Sequence, residues 1–128
     1  LRAGLARDNR IEIYWQMLGL ILAERGDVDG AAEAFLRAAE LEPDNEGYQL
    51  NAGAAALRAG RRQDARRIYE RLARAGSRQP GVWVNLGSLC ASDNDWAGAA
   101  RAWENALQLG ADSPQLRASL EQARLRSR

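Results

Sequence analysis

Residues 83–106, WVNLGSLCASDNDWAGAARAWENA, repeat the plan of residues 15–38, WQMLGLILAERGDVDGAAEAFLRA. Trp15 aligns with Trp83, Leu18 with Leu86 and Asp27 with Asp95, each across two steps of the same length. The single step is 34 residues: it links Gly19, Gly53 and Gly87, then Ala31, Ala65 and Ala99, then the aromatics Phe35, Tyr69 and Trp103, and also Gly26 with Gly60. A fixed period of this length marks a chain built by stacking one supersecondary unit, because no unit can bury its apolar face alone. The residue types inside the period are those of paired helices. Alanine and leucine dominate, strand signals are almost absent, and Pro43, Pro80 and Pro114 are spaced to fall between helices.

The repeat resembles the tetratricopeptide repeat, whose pattern is W-x2-L-G-x2-Y, then A-x3-F, then P. The first copy reads Trp15, Leu18, Gly19, Leu22, Ala31, Phe35, Ala38, Pro43, with leucine in place of the tyrosine. The third reads Trp83, Leu86, Gly87, Cys90, Ala99, Trp103, Ala106, Ala111. The second is degenerate: Gln49, Ala52, Gly53, Ala56, Ala65, Tyr69, Leu72, Ser77. The resemblance covers about residues 11–111 and implies an all-α fold, a right-handed α-solenoid of helix-turn-helix repeats. The expected division is one domain: repeats at 12–45, 46–79 and 80–113, and a capping helix at 114–128. Residues 1–10 read as the tail of a preceding repeat, with Leu1 and Leu5 in the register of its second helix. Lacking an initiator methionine and a signal-peptide pattern, the chain reads as part of a longer or processed protein.

Helices are expected at 11–24, 28–41, 46–58, 62–75, 81–92, 96–109 and 114–126. Gly26, Gly60 and Asn94 are assigned to left-handed turn positions, Asp27, Asp95 and Ser113 to N-caps, and Pro114 to a first helical turn. Between the paired helices a glycine facing an alanine lets the backbones approach, and the large aromatics fill the remaining volume. Trp96 is the tryptophan that this register leaves partly exposed.

Chemistry is poorly served. The chain has no histidine, and no serine or cysteine has an evident base beside it, so an enzyme is not expected. No metal or cofactor is expected either: Asp93, Asn94 and Asp95 lack the remaining ligands of a calcium loop and read as a turn before an N-cap. The single cysteine, Cys90, reads as a buried structural thiol. No apolar run reaches the roughly 18–20 residues of a membrane span.

A net charge of +1 offers no general attraction to nucleic acid, yet the charge is unevenly spread. Residues 8–46 carry ten acidic side chains against three arginines, while residues 58–78 carry eight arginines against Asp64 and Glu70. The arginines Arg58, Arg61, Arg62, Arg66, Arg67, Arg71, Arg74 and Arg78 read first as a solvated convex helix surface. The alternatives are an acidic protein partner and, with few aromatics for stacking, nucleic acid. Every basic residue is arginine, which reads as the codon bias of a GC-rich bacterial genome and suggests a cytoplasmic or periplasmic setting.

The resemblance also implies where a partner sits, since first helices of such repeats line a concave groove. Here those positions are Ile13, Gln16, Leu20, Leu50, Asn51, Ala54, Leu57, Val84, Asn85 and Ser88. Asn51 and Asn85 match the asparagine that pins ligand backbone in the family, because an amide both donates and accepts. The subclass that clamps a terminal dicarboxylate is not expected, since Gln16, Leu20, Gly81 and Asn85 stand where its polar and basic groups would be. The expected function is a protein-interaction scaffold or assembly factor, such as the repeat domain of a bacterial secretion, pilus or envelope-assembly component. The competing classes are a self-assembling protein, joined head to tail through its acidic and basic stretches, and an RNA-associated adaptor.

Overall fold

The computed structural model describes residues 10–128, so Leu1 and Leu5 lie outside the described residues. The described residues form seven α-helices and no strand: α1 Arg10–Glu24, α2 Val28–Leu41, α3 Glu46–Arg58, α4 Arg62–Arg74, α5 Pro80–Ser92, α6 Trp96–Gln108 and α7 Pro114–Arg126. The chain divides into two compact units, residues 1–61 and 62–128, with the division at the turn between α3 and α4. In the first unit α2 packs on both α1 and α3; in the second α5 packs on α4 and α6, and α6 on α7.

Helix ends follow the sequence closely. Gly26 and Gly60 have φ of 80° and 75°, and Asn94, at φ 62°, supplies the same left-handed turn without glycine. Asp27 accepts a hydrogen bond from Gly30 N at 2.9 Å and Asp95 one from Gly98 N at 3.0 Å, each capping a second helix. Ser113 accepts from Leu116 N at 3.1 Å, with Pro114 directly after it. Pro80 opens α5 instead of preceding it, and since a first-turn residue has no intrahelical N–H bond to lose, nothing is disturbed.

The expected glycine-to-alanine crossing is corrected by the structure. Gly19 lies under the Phe35 ring, where a Cβ would come within 2.7 Å of Cδ1, and Gly87 lies under the Trp103 indole in the same way. The aromatic of the second helix therefore rests on the bare backbone of the first. In the second unit that approach carries a hydrogen bond as well: Trp103 Nε1 donates to Val84 O at 3.2 Å. Alanines complete each interface, with Ala31, Ala38, Ala99 and Ala106 at most 3% exposed.

Gln49 occupies the place of a tryptophan and is the largest polar side chain buried, at 1% exposure. It donates from Nε2 to Ala39 O at 2.9 Å, a carbonyl in the last turn of α2 that has no partner within its own helix. Trp83, one repeat later, donates from Nε1 to Ser77 O at 2.9 Å, just beyond the end of α4. The two residues share an N–H donor aimed at the exit of the preceding helix. That shared task explains why an amide substitutes for an indole.

Replacing Gly87 by alanine should lower stability by about 1–3 kcal/mol, because overpacking against Trp103 exceeds the gain in helix propensity. Gly81→Ala is the comparison: a Cβ there meets nothing within 4 Å, so its urea midpoint should be unchanged or slightly raised. Equal midpoints for the two variants would contradict the packing described.

Candidate functional site

The expected groove residues fall into two sets, one in each unit. In the first, Leu20, Asn51 and Ala54 line an apolar hollow of about 230 Å³ whose floor is Val28, Ala31 and Phe35 and whose remaining wall includes Arg58. Leu20, Asn51, Ala54 and Arg58 are exposed, so the hollow opens to solvent. Ile13 is exposed and Leu50 and Leu57 are half-buried, but none of these three lines the hollow. Gln16 is half-buried, and its carboxamide oxygen is buried without a hydrogen-bond partner. In the second unit Val84 and Ser88 line a wider hollow of about 370 Å³, walled by Trp103, Leu116 and Ser119 and rimmed by Asp112 and Gln115.

The two asparagines differ. Asn51 is exposed beside the first hollow. Asn85 is half-buried, and its Nδ2 donates to the Tyr69 hydroxyl at 3.2 Å, so part of its donor capacity is used within the fold. Burial, the larger effect, raises the Tyr69 phenol above its ordinary range, while the Asn85 bond opposes it.

The arginine-rich stretch is largely occupied by the chain's own carboxylates. Arg61 pairs with Glu33 at 2.9 Å in the first unit. In the second, Arg66 is a hub: Nε to Glu70 at 3.0 Å, Nη1 to Asp93 at 2.6 Å and Nη2 to Asp95 at 3.1 Å. Its side chain is only 21% exposed, and Arg62 reaches Asp93 at 3.4 Å while Arg67 pairs with Asp64. The Asp93–Asp95 turn is thus a receptor for arginine from α4, a role that sequence reading, which gave it only turn and cap duties, did not assign. The spacing of Arg66 one turn before Glu70 was visible; the turn's approach to α4 requires the fold. Arg71 also has an interaction within the fold, whereas Arg74 and Arg78 are exposed.

Cys90 is buried, and burial pushes its thiol upward in pKa. Trp96 is half-buried and carries the Arg126 guanidinium 4.9 Å over its ring. Among the described residues no three ligating side chains form a metal site, and no helix is long and apolar enough to cross a membrane.

One surface was not anticipated. In α5, which follows α4, Val82 and Leu89 are buried; the positions two repeats earlier, Tyr14 and Ile21 of α1, are 59% and 44% exposed. With Met17 and Leu20 also exposed, α1 presents a broad apolar face. Its signal in the sequence was the run IEIYWQMLGLIL, apolar on nearly every side of the helix.

Comparison with known proteins agrees with the all-helical fold. Models of the tetratricopeptide repeat match residues 13–45 and 50–115. The chain belongs to the tetratricopeptide repeat family. No curated relative matches it. Similar solved structures include MamA of AMB-1, with a TM-score of 0.81 and 19% identity over 98% of this chain and 67% of that one. The Sgt2 tetratricopeptide domain of Aspergillus fumigatus has a TM-score of 0.70 and 20% identity over 91% of this chain and 78% of that one. The first such domain of Spaghetti (RPAP3), solved with an HSP90 peptide bound, has a TM-score of 0.74 and 14% identity over 92% and 94%. At these identities the likeness is one of fold.

Asp95 supplies a test of the arginine hub. The hydrogen bond from Gly98 N, followed by that from Arg66, holds its carboxyl below the ordinary carboxylate range, so its folded pKa lies below the unfolded one. The stability this contributes is present above the unfolded value of about 3.9 and lost as pH falls through the folded one. The stability difference between wild type and Asp95→Asn should therefore be largest near neutrality and shrink below about pH 4. A difference independent of pH in urea melts would show that the charge contributes nothing.

Proposed function

We propose that this protein is a non-catalytic interaction scaffold that holds a peptide segment of another polypeptide against the first-helix residues of its repeats. The observation carrying this reading is the open apolar hollow of the first unit, whose walls include Leu20, Asn51 and Ala54. Apolar walls desolvate a ligand side chain, and an exposed carboxamide can pair with the donor and acceptor of a peptide group. The wider hollow beside Val84 and Ser88 offers the second unit an equivalent surface. Support also comes from Spaghetti, where a similar fold holds a peptide. The absence of histidine from the sequence and the engagement of Arg61, Arg62, Arg66 and Arg67 by internal carboxylates favour a binding role over acid–base chemistry or phosphate contacts.

A photocrosslinking amino acid placed at Ala54 or at Ser88 should capture a polypeptide in cells, and the same group at the exposed Arg67 should not. With that partner in hand, Asn51→Ala should weaken binding by roughly two- to thirteen-fold, the worth of one neutral hydrogen bond of about 0.5–1.5 kcal/mol. Capture from Arg67 alone would move the site to the basic helix and overturn the reading.

Self-assembly is a second reading, and the exposed apolar side chains of α1 favour it. Association through that face should persist at high salt, because apolar burial is not screened, whereas pairing of the acidic and basic stretches should weaken. In sedimentation, a concentration-dependent mass that Met17→Glu abolishes would support the α1 route. A monomer at all concentrations and salt levels would remove both.

A further inference from the structure

We infer that the hollow of the first unit selects peptides in which one bulky apolar side chain lies beside an aspartate or glutamate, with Arg58 as the acid-reading residue. This rests on the peptide-binding reading above and specifies its ligand. The size of the hollow is the first argument. At about 230 Å³ it falls below the roughly 300–1,000 Å³ of sites that enclose small-molecule ligands, yet it has ample room for a single aliphatic or aromatic side chain. Its floor and walls, Val28, Ala31, Phe35 and Leu20, offer such a side chain apolar contact and nothing to hydrogen-bond.

Charge is the second argument. Among the described residues Arg58 is the one charged residue lining the hollow, and it lies in the last turn of α3. Arg61, three positions on, is taken by Glu33, whereas Arg58 is exposed and forms no ion pair among the described residues. An exposed guanidinium at the edge of an apolar recess favours a carboxylate over a basic or neutral neighbour, and its planar fork can grip both oxygens. Asn51, on the same wall, is placed to take the backbone of the intervening peptide group. A single cation suits a single side-chain carboxylate. A C-terminal acidic residue would bring two, and no other described residue lining the hollow is basic to receive the second.

The test is selection of random peptides, displayed with both ends joined to a carrier, on the 128-residue chain and on two variants. Ala54→Trp fills the hollow from its exposed wall, and Arg58→Glu reverses its charge; circular dichroism melts establish that each variant is folded. Wild type should enrich a bulky apolar residue within two positions of aspartate or glutamate. Arg58→Glu should keep the apolar preference and exchange the acidic one for lysine or arginine, and Ala54→Trp should lose the apolar preference. For one selected peptide, Arg58→Ala should weaken binding by up to about five-fold, as expected for a partly exposed ion pair. Selected peptides without an acidic position, or an acidic preference that survives Arg58→Glu, would overturn this inference and leave the peptide-binding reading standing. Failure to select any peptide would overturn both.

Discussion

The contact on which each complete helix pair depends is that of an aromatic ring with a glycine backbone. Phe35 on Gly19 and Trp103 on Gly87 set the distance between first and second helices, and the alanines at 31, 38, 99 and 106 suit only that distance. Larger residues at those alanines would clash, and a smaller ring would leave a void. The ring thus acts as a spacer, and the positions of the residues lining the two hollows follow from it. Leu20 stands one residue past Gly19 and Ser88 one past Gly87, so each is turned away from the buried contact and toward solvent.

The solvent side of those first helices is where the two hollows open. Both are built from the same ingredients, a first helix, the aromatic of a second helix as part of the lining, and small residues that leave space. Their linings diverge. The first unit combines apolar walls with Asn51 and Arg58, whereas the second has serines and a rim of Asp112 and Gln115. Asp112 is itself held by Arg117, with bonds of 2.7 and 2.9 Å, so its charge is already answered. The difference gives the first unit the stronger claim to an acidic, apolar ligand.

Periodicity made the helices legible almost to the residue, because turn and cap chemistry is local: left-handed turns at Gly26, Gly60 and Asn94 and caps at Asp27, Asp95 and Ser113 depend on neighbours a few positions away. What the sequence concealed was long-range. The partner of Gly19 was expected to be an alanine, since register identifies which residues are small but not which ring lies over them. Arg66 was read as solvated because nothing in a linear string shows that a turn 27 residues later presents Asp93 to it. Asn85 was read as an amide that pins ligand backbone, and only the fold brings the Tyr69 hydroxyl within its reach. The apolar face of α1 was written in its composition, but the family pattern directed attention to the groove instead.

Gln49 and Trp83 show that one position of the repeat is specified by a donor atom and not by a ring. In informational terms, the slot transmits a short message: an N–H must arrive at a carbonyl left open by the preceding helix. Several side chains can spell it, so a slot whose letter looks corrupted can still be grammatical. At this slot the middle copy has changed its vocabulary and kept its syntax.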